Sequence, residues 1–118
     1  MSYRSSWELN FAKLLDDDAN VVSYSYEAII IPYLSNRSTG KMRRYFPDFC
    51  VTYSDGSRVI VEIKPKRKLV QRVVLKKIAS ALKWCECNDV TFKVITEVEL
   101  KEYTLSQQAL RELNSAQK

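Results

Sequence analysis

The fold of this chain is decided by residues 44–64, RYFPDFCVTYSDGSRVIVEIK, in which two apolar runs flank a short polar segment. Such runs around Ser-Asp-Gly predict a β-hairpin with strands at residues 44–53 and 57–64. We expect a three-residue turn, in which Gly56 adopts the left-handed conformation and residue 53 pairs with residue 57. That register places Asp48 directly opposite Glu62 on the same face, whereas a two-residue turn would place them on opposite faces.

The polar side chains of this hairpin indicate a metal-binding site. Glu62 and Lys64 share a face because side chains alternate along a strand, and Asp48 joins them in the expected register. Two neighbouring carboxylates repel one another unless a proton or cation lies between them, and hard oxygen ligands favour Mg²⁺. The carbonyl of Ile63 is a further candidate ligand. Mg²⁺ held in this way supports attack on a phosphodiester, and Lys64 would orient or deprotonate the attacking water.

Helices are predicted on both sides of the hairpin. Apolar residues recur at helical spacing over residues 5–16 and 68–85, which predicts two amphipathic helices, the second being the longest in the chain. Their apolar faces consist of Trp7, Phe11, Leu14 and Leu15 in the first, and of Leu75, Ile78, Ala79, Leu82 and Cys85 in the second. Thr96 and Glu99 match a capping box that opens a short helix, and a last helix is expected from Ser106.

Two further strands complete the predicted fold. Residues 21–31 are rich in β-branched and aromatic residues and predict a strand that stops at Pro32, before a polar loop over residues 35–41. Residues 90–96 predict a strand after the second helix. The resulting order, αβββαβα, predicts an α/β sandwich in which a mixed sheet of about four strands is flanked by helices.

Length and composition limit the architecture and the chemistry. With 118 residues, of which 46% are hydrophobic, the chain can bury one ordinary core, so we expect a single domain over residues 1–118. No apolar run is long enough for a membrane span or a signal peptide, which predicts a soluble, cytoplasmic protein. The absence of His excludes His-dependent nucleases, Ser-His-Asp hydrolases and Cys-His proteases. The three cysteines are expected to be buried or half-buried free thiols.

Charge is concentrated in the middle of the sequence. The net charge is +5, and residues 28–84 contain thirteen Lys or Arg against three acids, while both flanking segments are net negative. A basic block of this kind is the electrostatic signature of a phosphate-binding surface. Seven of its cations surround the Asp, Glu, Lys set in sequence and are expected to contact phosphates around a scissile bond. They are Arg43, Arg44, Lys66, Arg67, Lys68, Arg72 and Lys76.

The motif residues resemble those of a known superfamily. Pro47 and Asp48, followed by Glu62, Ile63 and Lys64, resemble the motif of PD-(D/E)XK nucleases. Three segments, YRSSWE at 3–8, RYFPDF at 44–49 and EIKP at 62–65, are similar to phage head-completion nucleases and to the endonuclease subunit of cut-and-paste transposases. The resemblance covers residues 3–100 in order. It implies a restriction-endonuclease-like core, a Mg²⁺ cofactor for which Mn²⁺ substitutes, and DNA as the substrate.

The resemblance also assigns a role to the first helix. In such families an acid there often completes the metal site, and Glu8 stands at the matching position. Ser5 and Glu8 equally fit a capping box, in which Glu8 would only satisfy the Ser5 amide. Both roles of Glu8 remain open from the sequence.

Three functions are compatible with the sequence. The first is a metal-dependent DNA endonuclease of the phage or mobile-element type, acting in the host cytoplasm or with the virion and working with a phage head or a transposition machinery. The second is a junction-resolving or homing endonuclease, which would act as a homodimer rather than a monomer. The third is a structural or adaptor protein of a phage head that binds DNA without cutting it.

Overall fold

The computed structural model describes residues 5–116, except the side chains at positions 107, 110, 111 and 114–116. Tyr3 and Arg4, which contribute to the resemblance above, lie outside the described residues. The elements in chain order are α1 (Ser6–Asp17), β1 (Val21–Tyr26), β2 (Ile31–Asn36), β3 (Lys41–Tyr45), β4 (Phe49–Tyr53), β5 (Arg58–Ile63), α2 (Arg72–Cys87), β6 (Thr91–Ile95) and α3 (Glu97–Ala116), with a short 3₁₀ turn at Lys66–Lys68.

Four of the strands form a mixed sheet in the order β1-β4-β5-β6. The β1–β4 and β4–β5 pairs are antiparallel and the β5–β6 pair is parallel. The parallel pair requires a crossover, and α2 provides it. The predicted α/β architecture with a mixed sheet of about four strands is therefore confirmed.

The turn between β4 and β5 has the predicted length. Gly56 has a φ of +88°, its N–H donates to the carbonyl of Tyr53 at 3.0 Å, and Tyr53 N–H donates to the Ser57 carbonyl at 2.9 Å. Phe49 is the partner of Val61 in the same register. One further step along both strands brings Asp48 opposite Glu62, as the three-residue turn requires.

Helices cover both faces of the sheet. On one face, α1 and α3 enclose an apolar core made of Phe11, Ala12, Leu15, Phe49, Val51, Val61, Ile63, Ile95 and Leu100. On the other face, Cys85 of α2 packs against Cys50 and Ile60 of the sheet. Ala81 of α2 extends this packing to Ile31 and the neighbouring hairpin residues. The α1 helix begins where Ser5 Oγ accepts a hydrogen bond from Glu8 N–H at 3.3 Å.

The prediction of one strand over residues 21–31 is wrong, because the chain changes direction after β1. Glu27 has a φ of +52°, and its N–H donates to the Asp48 carbonyl at 2.9 Å. This left-handed conformation ends β1, and no Gly or Pro in the sequence marks the position. Pro32, expected to stop a strand, instead lies inside β2, and a two-stranded sheet leaves an edge on which a missing N–H is tolerated.

The prediction of one strand over residues 44–53 is also wrong. The chain leaves β3 after Tyr45 and enters β4 only at Phe49, so Pro47 interrupts what the apolar run suggests is continuous. Its first part pairs with β2 in a separate antiparallel hairpin, in which Tyr33 lies opposite Arg43. The predicted loop over residues 35–41 is correspondingly reduced to a tight tip between Asn36 and Lys41.

The second helix starts later and buries a different face than predicted. Pro65 is followed by the 3₁₀ turn at Lys66–Lys68, so α2 begins at Arg72 rather than at residue 68. Its buried residues are Val74, Ala81 and Cys85, whereas Leu75 and Leu82, 51% and 53% exposed, point outward. The consecutive apolar residues 73–75 allow two overlapping helical stripes, and packing against the sheet selects the second.

The capping box at the start of α3 is confirmed. Thr96 N–H donates to Glu99 Oε2 at 3.1 Å, and Thr96 Oγ1 accepts from Val98 N–H at 3.2 Å. The prediction of two helices is wrong, since one helix continues through Ser106 to Ala116, with no Gly or Pro to end it, and exceeds α2 in length. None of the helices in residues 5–116 is both long and apolar enough to cross a membrane.

Candidate active site

Two carboxylates lie opposite each other beyond the Phe49–Val61 pair. Asp48 is 1% exposed and Glu62 is 6% exposed, although both carry ionisable groups. Removing a carboxylate from water is costly unless hydrogen bonds or a cation compensate it. The contacts of these two residues therefore indicate what the site is built to hold.

Asp48 is fixed by the backbone of β5. Its Oδ2 accepts a hydrogen bond from Ile63 N–H at 2.7 Å. Lys64 N–H donates in the opposite direction, to the Ile95 carbonyl of β6 at 3.0 Å. Because the N–H and C=O of one strand residue point to the same edge, the Ile63 carbonyl is also directed to the Asp48 side. Both backbone groups of Ile63 thus face the candidate site.

The two carboxylate oxygens of Glu62 have different surroundings. Its Oε2 lies 3.5 Å from Lys64 Nζ, which confirms that these side chains share a face, and the Lys64 side chain is 26% exposed. Glu62 Oε1 is buried and has no hydrogen-bond partner among the described residues. Burial raises the pKa of the Glu62 carboxyl, against the lowering effects of Tyr45 and Lys64. The carboxylate is consequently under-compensated as the protein stands.

Tyr45 belongs to this cluster, and the sequence analysis did not find it. The residue is 4% exposed, and its hydroxyl lies close to the Glu62 carboxylate. Burial, and then the charge of Glu62, raise the pKa of Tyr45 far above its ordinary value, so the hydroxyl remains a donor. Its position two residues before Pro47 in the RYFPDF segment was the available signal, but only the β2–β3 hairpin shows that its side chain turns toward Glu62.

A second residue that the sequence analysis missed is Lys77 of α2. Its Nζ lies 5.9 Å from the ring centre of Tyr33 and 5.7 Å from that of Tyr45. A cation over an aromatic face is attracted by the ring quadrupole. Lys77 therefore connects α2 to the hairpin next to the carboxylates.

Glu8 is buried at the start of α1 and is more than a helix cap. Tyr26, the β1 partner of Phe49, donates a hydrogen bond from its hydroxyl to Glu8 Oε2. Glu8 is 6% exposed and so lies at the edge of the α1-side core. Over residues 5–116, no three His, Cys, Asp or Glu side chains are clustered as a ready-made metal cage. Asp48 and Glu62 are brought together, whereas the structure does not group Glu8 with them in that way.

The donor set nevertheless fits a hard divalent cation. Asp48 and Glu62 contribute carboxylate oxygens, the Ile63 carbonyl faces the same side, and Glu62 Oε1 is a buried acceptor with no partner among the described residues. Mg²⁺ prefers oxygen ligands and keeps several waters, so one or two carboxylates are sufficient protein ligands. A cation here would relieve both the burial cost of Glu62 and its repulsion from Asp48.

The predicted phosphate-contacting cations fall into three places. Arg43 and Arg44 are exposed on β3, and Arg72 and Lys76 are exposed on α2, where they share a depression with the tip of β2. Lys76 Nζ also donates to the Ser35 carbonyl at 3.0 Å, which anchors the hairpin to the helix. The third group, Lys66–Lys68, forms the 3₁₀ turn directly after Lys64 and Pro65.

The cysteines are free thiols, as predicted, but the prediction that all three are buried or half-buried is wrong for Cys87. Cys50 and Cys85 are buried, whereas Cys87 is exposed. Burial, and then the neighbouring Cys50, raise the pKa of the Cys85 thiol. The two buried thiols belong to the packing of α2 on the sheet and not to the carboxylate cluster.

A mixed sheet with an Asp, a Glu and a Lys at adjacent strand ends is the arrangement that the nuclease resemblance implied. The model of the TnsA-like endonuclease N-terminal family matches residues 18–97, and the chain belongs to this family. The chain is also similar to the head completion nuclease of Enterobacteria phage T4, with 35% identity over 98 residues. That match covers 82% of this chain, and the chain spans 65% of the length of the phage protein. The predicted resemblance is confirmed both to the transposase endonuclease subunit and to the phage nuclease.

Proposed function

We propose that this protein is a Mg²⁺-dependent endonuclease that hydrolyses phosphodiester bonds in DNA, in a phage or mobile-element pathway. The observation that carries the proposal is the buried Asp48–Glu62 pair with Lys64 beside it, in a chain that belongs to an endonuclease family. The basic block around the pair supports a polyanionic substrate.

The residues that would hold the metal are Asp48, Glu62 and the Ile63 carbonyl, and Glu8 of α1 is added to them because of the nuclease resemblance alone. Bound there, Mg²⁺ or its substitute Mn²⁺ would polarise a phosphate oxygen and stabilise the charge that develops on it. The hydrogen bond from Ile63 N–H to Oδ2 orients the Asp48 carboxylate. Tyr45 would fix the orientation of Glu62 by hydrogen bonding.

Lys64 has two roles in the proposed reaction. Its ammonium group lies 3.5 Å from Glu62 Oε2, and the side chain is partly open to solvent, where a substrate phosphate and a water would approach. An ammonium group at this place orients the attacking water and balances negative charge on the phosphate. Removing it should lower the rate of hydrolysis without removing the carboxylates.

The test is cleavage of supercoiled and linear plasmid with and without Mg²⁺ or Mn²⁺, followed as nicking and linearisation. The variants Asp48→Asn and Lys64→Ala should lose metal-dependent cleavage. The matched controls Glu86→Gln and Lys83→Ala, which change exposed residues of α2, should retain it. Cleavage that persists in Asp48→Asn would refute the site, and DNA binding without cleavage by the unmodified protein would favour the adaptor function.

A further inference from the structure

A groove runs along β3 from the hairpin tip toward the carboxylates. It consists of two adjoining depressions, of about 470 and 540 Å³, which share Tyr33 and Arg43. The depression near the tip includes Lys41, and the one near the base includes Arg44 and Lys77. We call the two together the β3 groove. Its base adjoins Tyr45, whose hydroxyl lies close to Glu62.

The β3 groove is electropositive along its whole length. Four of its lining residues are cations, namely Lys41, Arg43, Arg44 and Lys77, and none of the described lining residues is acidic. The sequence has no Asp or Glu from residue 28 to residue 47, so no acid within β2, β3 or the tip between them neutralises this charge. A concave surface with one sign of charge attracts and orients a polyanion.

The spacing of the cations matches a regular polyanion. Lys41, Arg43 and Tyr45 alternate along β3 and therefore share one face, the face on which Arg43 lies opposite Tyr33. Residues two apart on a strand are separated by about 7 Å. Successive phosphates of one nucleic-acid strand have a similar separation. A phosphate at each of Lys41 and Arg43 would place the next phosphate beside Tyr45 and Glu62.

The backbone of β3 adds donors to the same surface. Within residues 5–116, β3 pairs only with β2, so its second edge is not used in a sheet. Such an edge presents backbone N–H groups that can donate to phosphate oxygens. The Lys76 contact to Ser35 and the Lys77 contacts to Tyr33 and Tyr45 hold the hairpin against α2. The groove is therefore a preformed surface.

We infer that the β3 groove binds the sugar-phosphate backbone of one DNA strand on one side of the scissile bond. Arg43 contacts the first phosphate from the cut and Lys41 contacts the second. The inference rests on the proposed function and adds to it that the DNA contacts of the groove lie on one side of the scissile bond. It separates Lys41, Arg43 and Lys77 from Arg72 and Lys76, which line a different depression, between α2 and the tip of β2.

Binding of a labelled oligonucleotide, as duplex and as single strand, tests the inference in the absence of divalent metal. Arg43→Gln and Lys41→Gln change exposed residues and should each weaken binding about tenfold, as expected for a charged hydrogen bond. Each should also reduce the slope of log affinity against log salt by about 1. The matched controls Lys83→Gln and Lys93→Gln, exposed cations outside the groove, should change affinity less than about twofold.

A loss with duplex, with single strand or with both supports backbone contact and identifies the preferred form. Equal losses in the groove variants and in the controls would overturn the inference, because the attraction would then be general. So would no loss with either form of DNA. Plasmid cleavage, measured in parallel, keeps the two proposals apart: if the unmodified protein cleaves DNA while the groove variants match the controls, only the groove fails.

Neutral methylphosphonate substitutions test the position of the contacts. Replacing the first or second phosphate on one side of the cut should weaken binding to the unmodified protein, and the same replacements on the other side should have less effect. In Arg43→Gln, neutralising the first phosphate should have no additional effect, since the contact is already lost. Equal sensitivity on both sides of the cut would contradict the proposed footprint.

Discussion

The two faces of β5 serve opposite purposes within six residues. On one face, Val61 and Ile63 pack beneath α1 and α3, and their burial favours folding. On the other face, Ile60 packs under α2, but Glu62 places a buried carboxylate in the same layer. The apolar face fixes the register of the strand, and the register in turn prevents Glu62 from turning to solvent. Stability on one face thus maintains an unfavourable charge on the other.

The largest effect is expected on the face of β5 that carries Glu62, which we call the carboxylate face. Glu62→Gln should lower metal-dependent cleavage by about a thousandfold, because several kcal/mol of charge stabilisation depend on the metal that Glu62 would hold. It should not destabilise the metal-free protein at neutral pH. Since burial raises the pKa of Glu62, the stability present below the ordinary carboxyl pKa is lost as pH rises, and Gln, which does not ionise, retains it.

Cleavage rates and denaturant unfolding of the same Glu62→Gln sample check both parts. If Glu62→Gln kept its activity, or unfolded more easily than the parent at neutral pH, the two faces of β5 would not differ in the way proposed.

The apolar face should give the reverse result. Val61 is 2% exposed, and Val61→Ala should lower the free energy of unfolding by about 2 kcal/mol through lost burial and the remaining cavity. Denaturant unfolding measures this loss, and the cleavage rate per folded molecule should be unchanged. The exposed Val22→Ala provides a control for the same chemical change without burial. A loss of activity in the folded fraction of Val61→Ala would show that the faces are coupled.

A smaller effect is expected where the hairpin supports the carboxylate face. Tyr45→Phe removes the hydroxyl next to Glu62 and should weaken Mn²⁺ binding about tenfold, in the range of other groups that orient metal ligands. Titration of the metal by electron paramagnetic resonance measures this without relying on cleavage. Tyr53→Phe, a half-buried tyrosine of β4, is the control. Unchanged metal affinity in Tyr45→Phe would limit Tyr45 to packing.

The smallest effect concerns the helix that covers the apolar face. Glu99→Ala should cost about 1 kcal/mol, because the reciprocal cap at Thr96 is lost. Hydrogen bonding to Thr96 lowers the pKa of Glu99, so its contribution is present above the ordinary carboxyl pKa and is lost as pH falls through the folded value. The difference between Glu99→Ala and the parent should therefore shrink in acid, as measured by unfolding at several pH values. A difference independent of pH would exclude this origin.

The local geometry of the candidate site was predictable from the sequence. The Ser-Asp-Gly turn and strict alternation fix the register within twenty-one residues, so the facing of Asp48 and Glu62 requires no knowledge of distant contacts. The capping box at Thr96 was predictable for the same reason. Both features depend on residues that are close in sequence.

The parts that were not predictable depend on distant packing. Tyr45 reaches Glu62 only because β3 pairs with β2 instead of continuing into β4. The break at Glu27 carries no Gly or Pro signal, and the choice between two apolar stripes on α2 is made by the sheet beneath it. Lys77 looks like one more surface cation in the sequence, since its ring partners lie more than thirty residues away.

The hydrogen bond from Glu27 N–H to the Asp48 carbonyl has a consequence for how this chain can acquire new segments. Residues inserted between β1 and β2 would shift the backbone that carries Asp48. The hairpin tip, by contrast, is exposed from Asn36 to Lys41, and both flanking strands are anchored behind it. Extra residues at the tip would lengthen the arm and leave the carboxylates in place. A DNA-reading module grafted between Ser38 and Thr39 would thus give sequence preference to the proposed catalytic centre.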